Sequence, residues 1–244
     1  MTLSDEDYDL VQECIPWLES IEDRLIIHDG TLNSEKYKEM VIADLKKFGT
    51  FVDEDTYVLN NPNQIIAIIT DHLGLVRPLP GRSKKEEIDT ISAYGVSFRN
   101  KCKVSPINIM QFNRNSNNSE RLKQGLQEPD LSDLKERGSP SEDANVVLVL
   151  YNPFRNKLSS YRGYDIKELK DGFRSLLVLK NRFGSSDIAI GTGFYGRCGI
   201  FKELPIPSEI NDYERYKHPD WTIIDFPEDE AKAKRDDLRV TITL

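Results

Sequence analysis

The sequence predicts an α/β fold, a mostly parallel β-sheet flanked by helices. Three observations carry that prediction. Helical and strand patterns alternate along the chain. Residues 64–70, QIIAIIT, form a nearly continuous β-branched run, the signature of a strand buried on both faces of a parallel sheet. Asn33 and the capping box Ser83-Lys84-Lys85-Glu86 each open an amphipathic stretch as helices do.

The elements follow in order. Ser4 caps a helix over 4–21, with Asp7 three residues on and an apolar stripe of Leu10, Cys14, Trp17, Leu18 and Ile21. Pro16 lies inside it and is expected to kink or split it. Arg24–His28 reads as a short strand. Asn33 caps a helix to Phe48, with Tyr37, Val41, Leu45 and Phe48 on one face and Gly49 as its stop. After the strand at 64–70 comes a Pro-Leu-Pro-Gly loop at 78–81. The helix opened at Ser83 runs to Lys103 and turns Ile88, Ile91, Gly95, Phe98 and Cys102 to the core. Pro106–Met110 is the next strand. Residues 113–142 are polar and long for a connection in a compact domain, which marks them as functional or mobile. Asn145–Tyr151 reads as a second buried strand, and Arg174–Leu179, Asp187–Thr192 and Gly199–Lys202 as further ones.

Beyond Glu203 the pattern is broken by Pro205, Pro207, Pro219 and Pro227. From Glu203 onward there are 11 acids and 6 bases, so this stretch holds −5 of the net −8. The chain therefore divides into residues 1–203, carrying the sheet, and an irregular acidic tail over 204–244.

Composition narrows the function classes. With 38% apolar residues in 244, a core can form and wholesale disorder is excluded. Apolar runs such as Ile65–Ile69 are far short of the roughly 20 residues that span a bilayer. No basic-then-apolar leader opens the chain. Cys14, Cys102 and Cys198 are odd in number and far apart, which argues against a disulfide framework and fits a reducing compartment. Three histidines without ligand spacing make a structural zinc site improbable. A net charge of −8 excludes a globally basic nucleic-acid coat but leaves room for a local basic groove. No internal repeat is present.

Four segments carry residues suited to chemistry. The apolar strand before Asp71 places a carboxylate at its carboxyl end, where ligands of parallel sheets gather and where magnesium-bound phosphates would need a fixed anion. The plainer reading is a strand-terminal Asp capping a turn. The strand at 106–110 runs into Gln111, Asn113 and Arg114, and an amide at a strand tip can sense a γ-phosphate or orient a water. The stretch Ser132–Asn145, SDLKERGSPSEDAN, offers Lys135, Arg137 and backbone N–H groups to phosphates, or is simply a solvated charge run. Lys180-Asn181-Arg182-Phe183-Gly184 closes a strand with two cations two residues apart, suited to polyphosphate.

In order and spacing these segments resemble the RecA-like ATPase domain of replicative hexameric helicases of the DnaB type. Leu3-Ser4-Asp5-Glu6-Asp7 is similar to the helix after the family's first ATPase strands, and Arg24–Asp29 continues the likeness. AIITDHLGLV resembles the Walker B strand, and NIMQFNR the strand with the sensor glutamine. LSDLKERG…EDANVVLVLY resembles the DNA-loop motif with its following strand. LKNRFG resembles the arginine-finger motif, and KNRFG is shared with RadA-type recombination ATPases. The likeness covers residues 3–203. His72 stands where the family carries an aromatic residue, and is read as a packing substitution. No G-x-x-x-x-G-K-[ST] occurs in the chain. In the family that loop lies upstream of the part matched at Leu3, with the first sheet strand and a catalytic glutamate. The expected fold is therefore RecA-like and incomplete at its N-terminal side.

The resemblance implies roles. Asp71 would hold the water shell of Mg²⁺, and Gln111 would couple the γ-phosphate of ATP to the DNA loop. Arg182 would be an arginine finger reaching a neighbouring subunit's nucleotide, with Lys180 beside it. Lys135, Glu136 and Gly138 match positions that line the central pore and grip single-stranded DNA, with Arg114 at the base of the same loop. It implies a homo- or hetero-oligomeric ring, a complementing chain bearing the Walker A loop, no membrane, and the cytoplasm of a bacterial or phage-infected cell. Two other readings stand beside this one: a non-catalytic RecA-like module that caps or regulates a helicase ring, and a RadA-like recombination ATPase fragment. Without the loop's backbone N–H cradle and its Lys, the chain alone is expected not to hydrolyse ATP.

Overall fold

The alternation of helix and strand resolves into two four-stranded sheets of opposite character. The structure, a computed structural model, describes residues 4–111, 128–135, 139–196 and 199–217, together with the backbone of 238–243. The first elements are α1 (Asp5–Ile21), β1 (Leu25–His28), α2 (Ser34–Phe48), β2 (Gly49–Phe51), β3 (Tyr57–Leu59), β4 (Ile65–Thr70), α3 (Lys84–Cys102) and β5 (Ser105–Asn108). Then come α4 (Ser132–Lys135), α5 (Pro140–Asp143), β6 (Val146–Tyr151), β7 (Ser160–Tyr161), β8 (Tyr164–Asp165) and α6 (Ile166–Leu169). The chain continues with β9 (Phe173–Asn181), β10 (Ile188–Tyr195), β11 (Ile200–Glu203), α7 (Glu214–Lys217) and β12 (Leu238–Thr243). Residues 1–111 and 226–244 form one compact unit and residues 112–225 another.

In the first unit the strand order is β1-β12-β4-β5, all parallel. α2 and α3 cover one face. Both start as the sequence requires. The Asn33 side chain accepts from Lys36 N at 2.8 Å. Ser83 Oγ accepts from Glu86 N at 3.2 Å, while the Glu86 carboxylate accepts from Ser83 N at 2.6 Å and is held below its usual pKa by that bond. Their stripes meet the even-numbered residues of β4: Tyr37, Val41, Leu45, Ile66, Ile68, Ile91 and Phe98 form one core. Glu87, fully buried, ties the two helices by accepting from Ser34 N at 3.2 Å and Ser34 Oγ at 3.0 Å. Gly49 does end α2, but by close approach: a Cβ there would lie 2.3 Å from Val58 O and 2.6 Å from the Tyr57 ring.

The expectation that β4 is buried on both faces is met in part: Ile66, Ile68 and Thr70 are buried on one face, and on the other Ala67 is buried and Ile69 half-buried. Ile65 is 55% exposed, and Ile27, Ile107 and Ile109 are exposed with it. Parallel sheets ordinarily carry helices on both faces, and among the described residues no helix covers this second face at Ile65. α1 does not provide that cover. It is one unbroken helix with Pro16 inside, and its apolar stripe faces solvent, with Tyr8, Val11, Trp17 and Leu18 exposed.

β12 falls in the stretch read from the sequence as an irregular tail. It pairs in parallel with β1 on one side and β4 on the other, in the middle of the sheet. LRVTIT is a short β-branched run behind the charged stretch at 228–237, and alone it is a weak strand signal. The tail is therefore not wholly irregular: it also holds the turn Pro207–Glu209 and α7.

The second unit is antiparallel, with order β11-β10-β9-β6. Parallel pairing is thus confined to the first unit. β6 alternates strictly. Val147, Val149 and Tyr151 are buried, while Leu148 and Leu150 stay 57% and 51% exposed. That is how a one-face-covered antiparallel strand behaves, in place of the fully buried strand the sequence predicts. Beneath it Tyr151, Tyr161, Tyr164 and Phe173 pack ring against ring, tilted or edge-on, with centroids 5.0–6.1 Å apart. Among the described residues Cys14 and Cys102 are free thiols, and no helix is long and apolar enough to cross a membrane.

Candidate functional site

The carboxyl ends of the parallel strands align at His28, Thr243, Thr70 and Asn108. This is the edge where α/β sheets bind ligands. Asp71 follows directly on β4, and its exposed carboxylate takes part in no hydrogen bond or ion pair among the described residues. The backbone beyond it is clipped to the end of β5, because Ile109 N donates to Thr70 O at 3.0 Å and Leu73 N donates to Ile109 O at 3.0 Å. These two bonds set the segments carrying Asp71 and Gln111 side by side. Gln111 is exposed.

The Asp71–His72 peptide is cis. His72 Nδ1 accepts from Gly74 N at 3.0 Å, which assigns the ring proton to Nε2. A Cβ on Gly74 would meet the imidazole at 2.5 Å, so the ring and the glycine depend on one another. His72 thus caps the turn Leu73–Leu75, in keeping with the packing role read for it.

Sequence reasoning missed a second polar group at this edge. His28 Nε2 lies 2.6 Å from Asp44 Oδ2, and Lys47 Nζ donates to Asp44 Oδ1 at 2.7 Å. Asp44 is buried. A signal was present: Asp44 falls on the stripe of Tyr37, Val41, Leu45 and Phe48, where an apolar residue belongs. Asn108 was missed too, and its Oδ1 is buried without a hydrogen-bond partner among the described residues.

In the second unit Lys180 and Arg182 project to the same side, as their spacing predicts. Both reach the end of α5. Lys180 Nζ donates to Ser141 O at 3.0 Å and to Glu142 O at 2.7 Å. Arg182 Nη2 donates to Glu142 O at 3.4 Å, and Nη1 to Asn145 Oδ1 at 3.2 Å. Arg182 N also donates to Asn145 O at 2.9 Å. The KNRFG and EDAN segments are therefore one cluster: cations from the end of β9 meet carbonyls of the turn that leads into β6. Among the described residues Arg182 makes no salt bridge with Asp187. Arg182 is exposed and its side-chain bonds are long, so they exchange readily with another acceptor.

Glu128 ends the polar connection with a strong contact. It accepts from Arg162 Nη2 at 2.7 Å, Arg162 Nε at 2.9 Å and the Tyr161 hydroxyl at 2.5 Å. The Arg162 guanidinium holds the Glu128 carboxyl below its usual pKa, and burial beside that carboxylate pushes the Tyr161 hydroxyl up. Of the DNA-loop residues, Lys135 closes α4 and its side chain lies outside the described residues, as do Arg114, Glu136 and Gly138 altogether. No group of three or more His, Cys, Asp or Glu side chains suited to a metal occurs among the described residues. A single free carboxylate at a strand end suits Mg²⁺, which takes one or two carboxylates, several waters and substrate phosphates.

Comparison with known proteins bears on the fold and the family. The family described as DnaB-like helicase C terminal domain matches residues 18–203. No curated protein matches the chain. Among solved structures, one of a DnaB-like replicative helicase and its interactions with primase is similar at 20% identity and a TM-score of 0.52. The match covers 72% of this chain and 36% of that one, so this chain spans about a third of its length. At that identity the likeness speaks for the fold, and the family match speaks for kinship: this chain belongs to the DnaB-like helicase C-terminal domain family.

Proposed function

We propose that the chain supplies the Walker B, sensor, DNA-loop and arginine-finger residues of a replicative helicase ATPase. Residues 1–203 would be the partial RecA-like domain and 204–244 an acidic tail that returns one strand, β12, to the first unit's sheet. The end of the family match at residue 203 supports that boundary. A separate chain would bring the Walker A loop, and the two would form a ring that unwinds duplex DNA with ATP and Mg²⁺. The observation that carries the reading is Asp71, unengaged at the carboxyl end of a parallel strand, with the Gln111 segment bonded alongside.

The bound magnesium nucleotide would supply the phosphoryl group to be transferred to water. Asp71 would orient a water of the ion's hydration shell. Gln111 would offer its amide to the γ-phosphate end of the site and pass any displacement into the connection that begins beside it. Arg182 would exchange its two long bonds for phosphate oxygens of the adjacent subunit, where charge develops in the transition state. Lys180 would keep the end of α5 in place. Lys135, Glu136, Gly138 and Arg114 would contact single-stranded DNA, mostly through its phosphates.

The test is reconstitution. The chain alone is expected to release no phosphate from ATP above background, and to do so on addition of a Walker A-containing DnaB-type chain. Asp71→Asn should abolish the gain. Turnover by the purified chain alone would overturn the reading. One observation favours the second reading, a non-catalytic module: Lys180 and Arg182 already have partners within their own chain. On that view reconstituted turnover would not respond to Asp71→Asn or Arg182→Ala.

A further inference from the structure

Three buried polar groups lie directly behind Asp71 and Gln111. Tyr37 is 1% exposed and Thr70 2% exposed. The Tyr37 hydroxyl, the Thr70 hydroxyl and Asn108 Oδ1 are shut off from solvent, and none makes a hydrogen bond of ordinary geometry among the described residues. A polar group buried in that state bears its full desolvation cost, so native structures pair such groups. Their places in the fold bring the three together. Thr70 and Asn108 are register partners on the parallel strands β4 and β5, and side chains directly opposite share a face of the sheet. Thr70 follows Ile66 and Ile68 on the face that packs on Tyr37 of α2. Burial pushes the Tyr37 hydroxyl up to about 12, and the Thr70 side chain facing it works against that shift.

We propose that the Thr70 hydroxyl is the hub of a three-member chain, accepting from the Tyr37 hydroxyl and donating to Asn108 Oδ1, and that this chain positions the segments carrying Asp71 and Gln111. The direction follows from the groups themselves. An amide oxygen can only accept, so the Thr70 proton goes to Asn108 and a Thr70 lone pair takes the Tyr37 proton. All three orphaned groups are then satisfied together. Asp71 is the residue after Thr70, and Gln111 lies three beyond Asn108. The backbone already clips these strand ends, through Ile109 N on Thr70 O and Leu73 N on Ile109 O, both at 3.0 Å. The side-chain chain ties that clip to α2, so the strand ends cannot shift against the helix layer. Tyr37 and Thr70 are too deeply buried to meet a ligand, which makes them positioning residues. Their effect on turnover rests on the ATPase reading above, whereas the tie itself does not.

The test uses the full chain and, for turnover, its reconstituted assembly. Thr70→Val keeps the shape and removes the hydroxyl, whereas Thr70→Ser keeps the hydroxyl. In a chain of bonds, Thr70→Val strands both Tyr37 and Asn108. The Ile109 and Leu73 amides should then exchange with solvent about tenfold faster or more relative to those of β9, as read by NMR. Thr70→Ser should return most of that protection. Tyr37→Phe added to Thr70→Val should change the rates by less than about twofold, because the shared bond is already gone. If the three groups stay unpaired, Thr70→Val merely deletes a buried polar atom, and the two amides exchange as in the parent or more slowly. That result would overturn the proposal, as would equal acceleration in Thr70→Val and Thr70→Ser. In the assembly Thr70→Val should lower kcat about tenfold or more per folded subunit, with KM for ATP within about twofold, and Thr70→Ser should restore it. Faster exchange with unchanged kcat would overturn the positioning role. An assembly without turnover even with the parental chain would overturn the ATPase reading instead, and the exchange rates would still decide the chain.

Discussion

The first unit rests on backbone rules and the second on side-chain networks. In the first, two long helices with regular caps cover a parallel sheet, and the carboxylate proposed for Mg²⁺, that of Asp71, has no partner among the described residues. In the second, helices of four residues contribute little, and Glu128, Arg162, Tyr161 and Arg174 tie strands and turns together. The cations proposed for its site, Lys180 and Arg182, are engaged as well, on the carbonyls of α5. The contrast teaches where each unit can change state. Asp71 needs no contact broken before it meets a ligand, whereas Arg182 must let go of Glu142 O and Asn145 Oδ1 first.

The largest effect tests that exchange. Arg182→Ala is expected to cut turnover of the reconstituted assembly by about 10³-fold or more, the scale of arginine fingers, with nucleotide binding nearly intact. The lost bonds are long and exposed, so stability should change by no more than about 1 kcal/mol. Subunits lacking only Arg182, mixed with subunits defective only at Asp71, should regain part of the activity. A lower melting temperature with full turnover per folded subunit would make Arg182 a structural residue and dissolve the contrast.

The next effect concerns the covered and open faces. Val149 and Leu150 are neighbours on β6, 3% and 51% exposed. Val149→Ala should cost about 1–3 kcal/mol through lost burial and a cavity, and Leu150→Ala less than about 0.5 kcal/mol in the isolated chain. Ile68→Ala and Ile65→Ala should repeat the pattern in the first unit. Denaturant titration of the four variants decides it. Equal costs at Val149 and Leu150 would mean that the outer face of β6 is covered in solution.

What was legible follows the same division. Asn33, Ser83 and Glu86 declared α2 and α3 because capping is local, and β4 was declared by its own apolar run. Asp71 and Gln111 were legible as residues ending strands. Their juxtaposition was not, since it depends on the β4–β5 pairing. The meeting of Lys180 and Arg182 with Glu142 joins segments some 40 residues apart, and Glu128 with Arg162 joins segments 34 apart. No local pattern encodes either. β12 was hidden for the same reason, as its partners lie at the other end of the chain.

A smaller effect probes the second unit's network. Glu128→Gln keeps the shape and removes the charge that Arg162 and Tyr161 face. The pair is partly exposed, so solvent screening limits the loss to about 1–2 kcal/mol. The folded-state pKa of Glu128 is lowered, so its contribution is fully present above the ordinary glutamate range and is lost as pH falls through the lowered folded value. The parent's advantage over the variant should therefore be constant near neutrality and vanish in acid. An advantage that persisted at the lowest pH would mean the bond does not depend on the carboxylate.

The smallest effect isolates the first unit. Ser83→Ala removes the hydroxyl that accepts from Glu86 N and should cost about 1 kcal/mol, the usual worth of an N-cap. Glu86 is fully exposed, so its own bond back to Ser83 N gains little beyond geometry. Ser83→Asp should restore most of the loss, because aspartate caps as well and adds a negative charge at the helix N-terminus. Hydrogen exchange measured on peptides gives the reading. In Ser83→Ala protection should fall over 84–102 and, through the Glu87 contact with Ser34, over the start of α2. In Glu128→Gln it should fall over 160–175 instead. Two variants with matched loss and separate footprints would establish that the units owe their stability to different physics. A common footprint would show that the chain melts as one body, and that the contrast between capped helices and side-chain networks has no energetic counterpart.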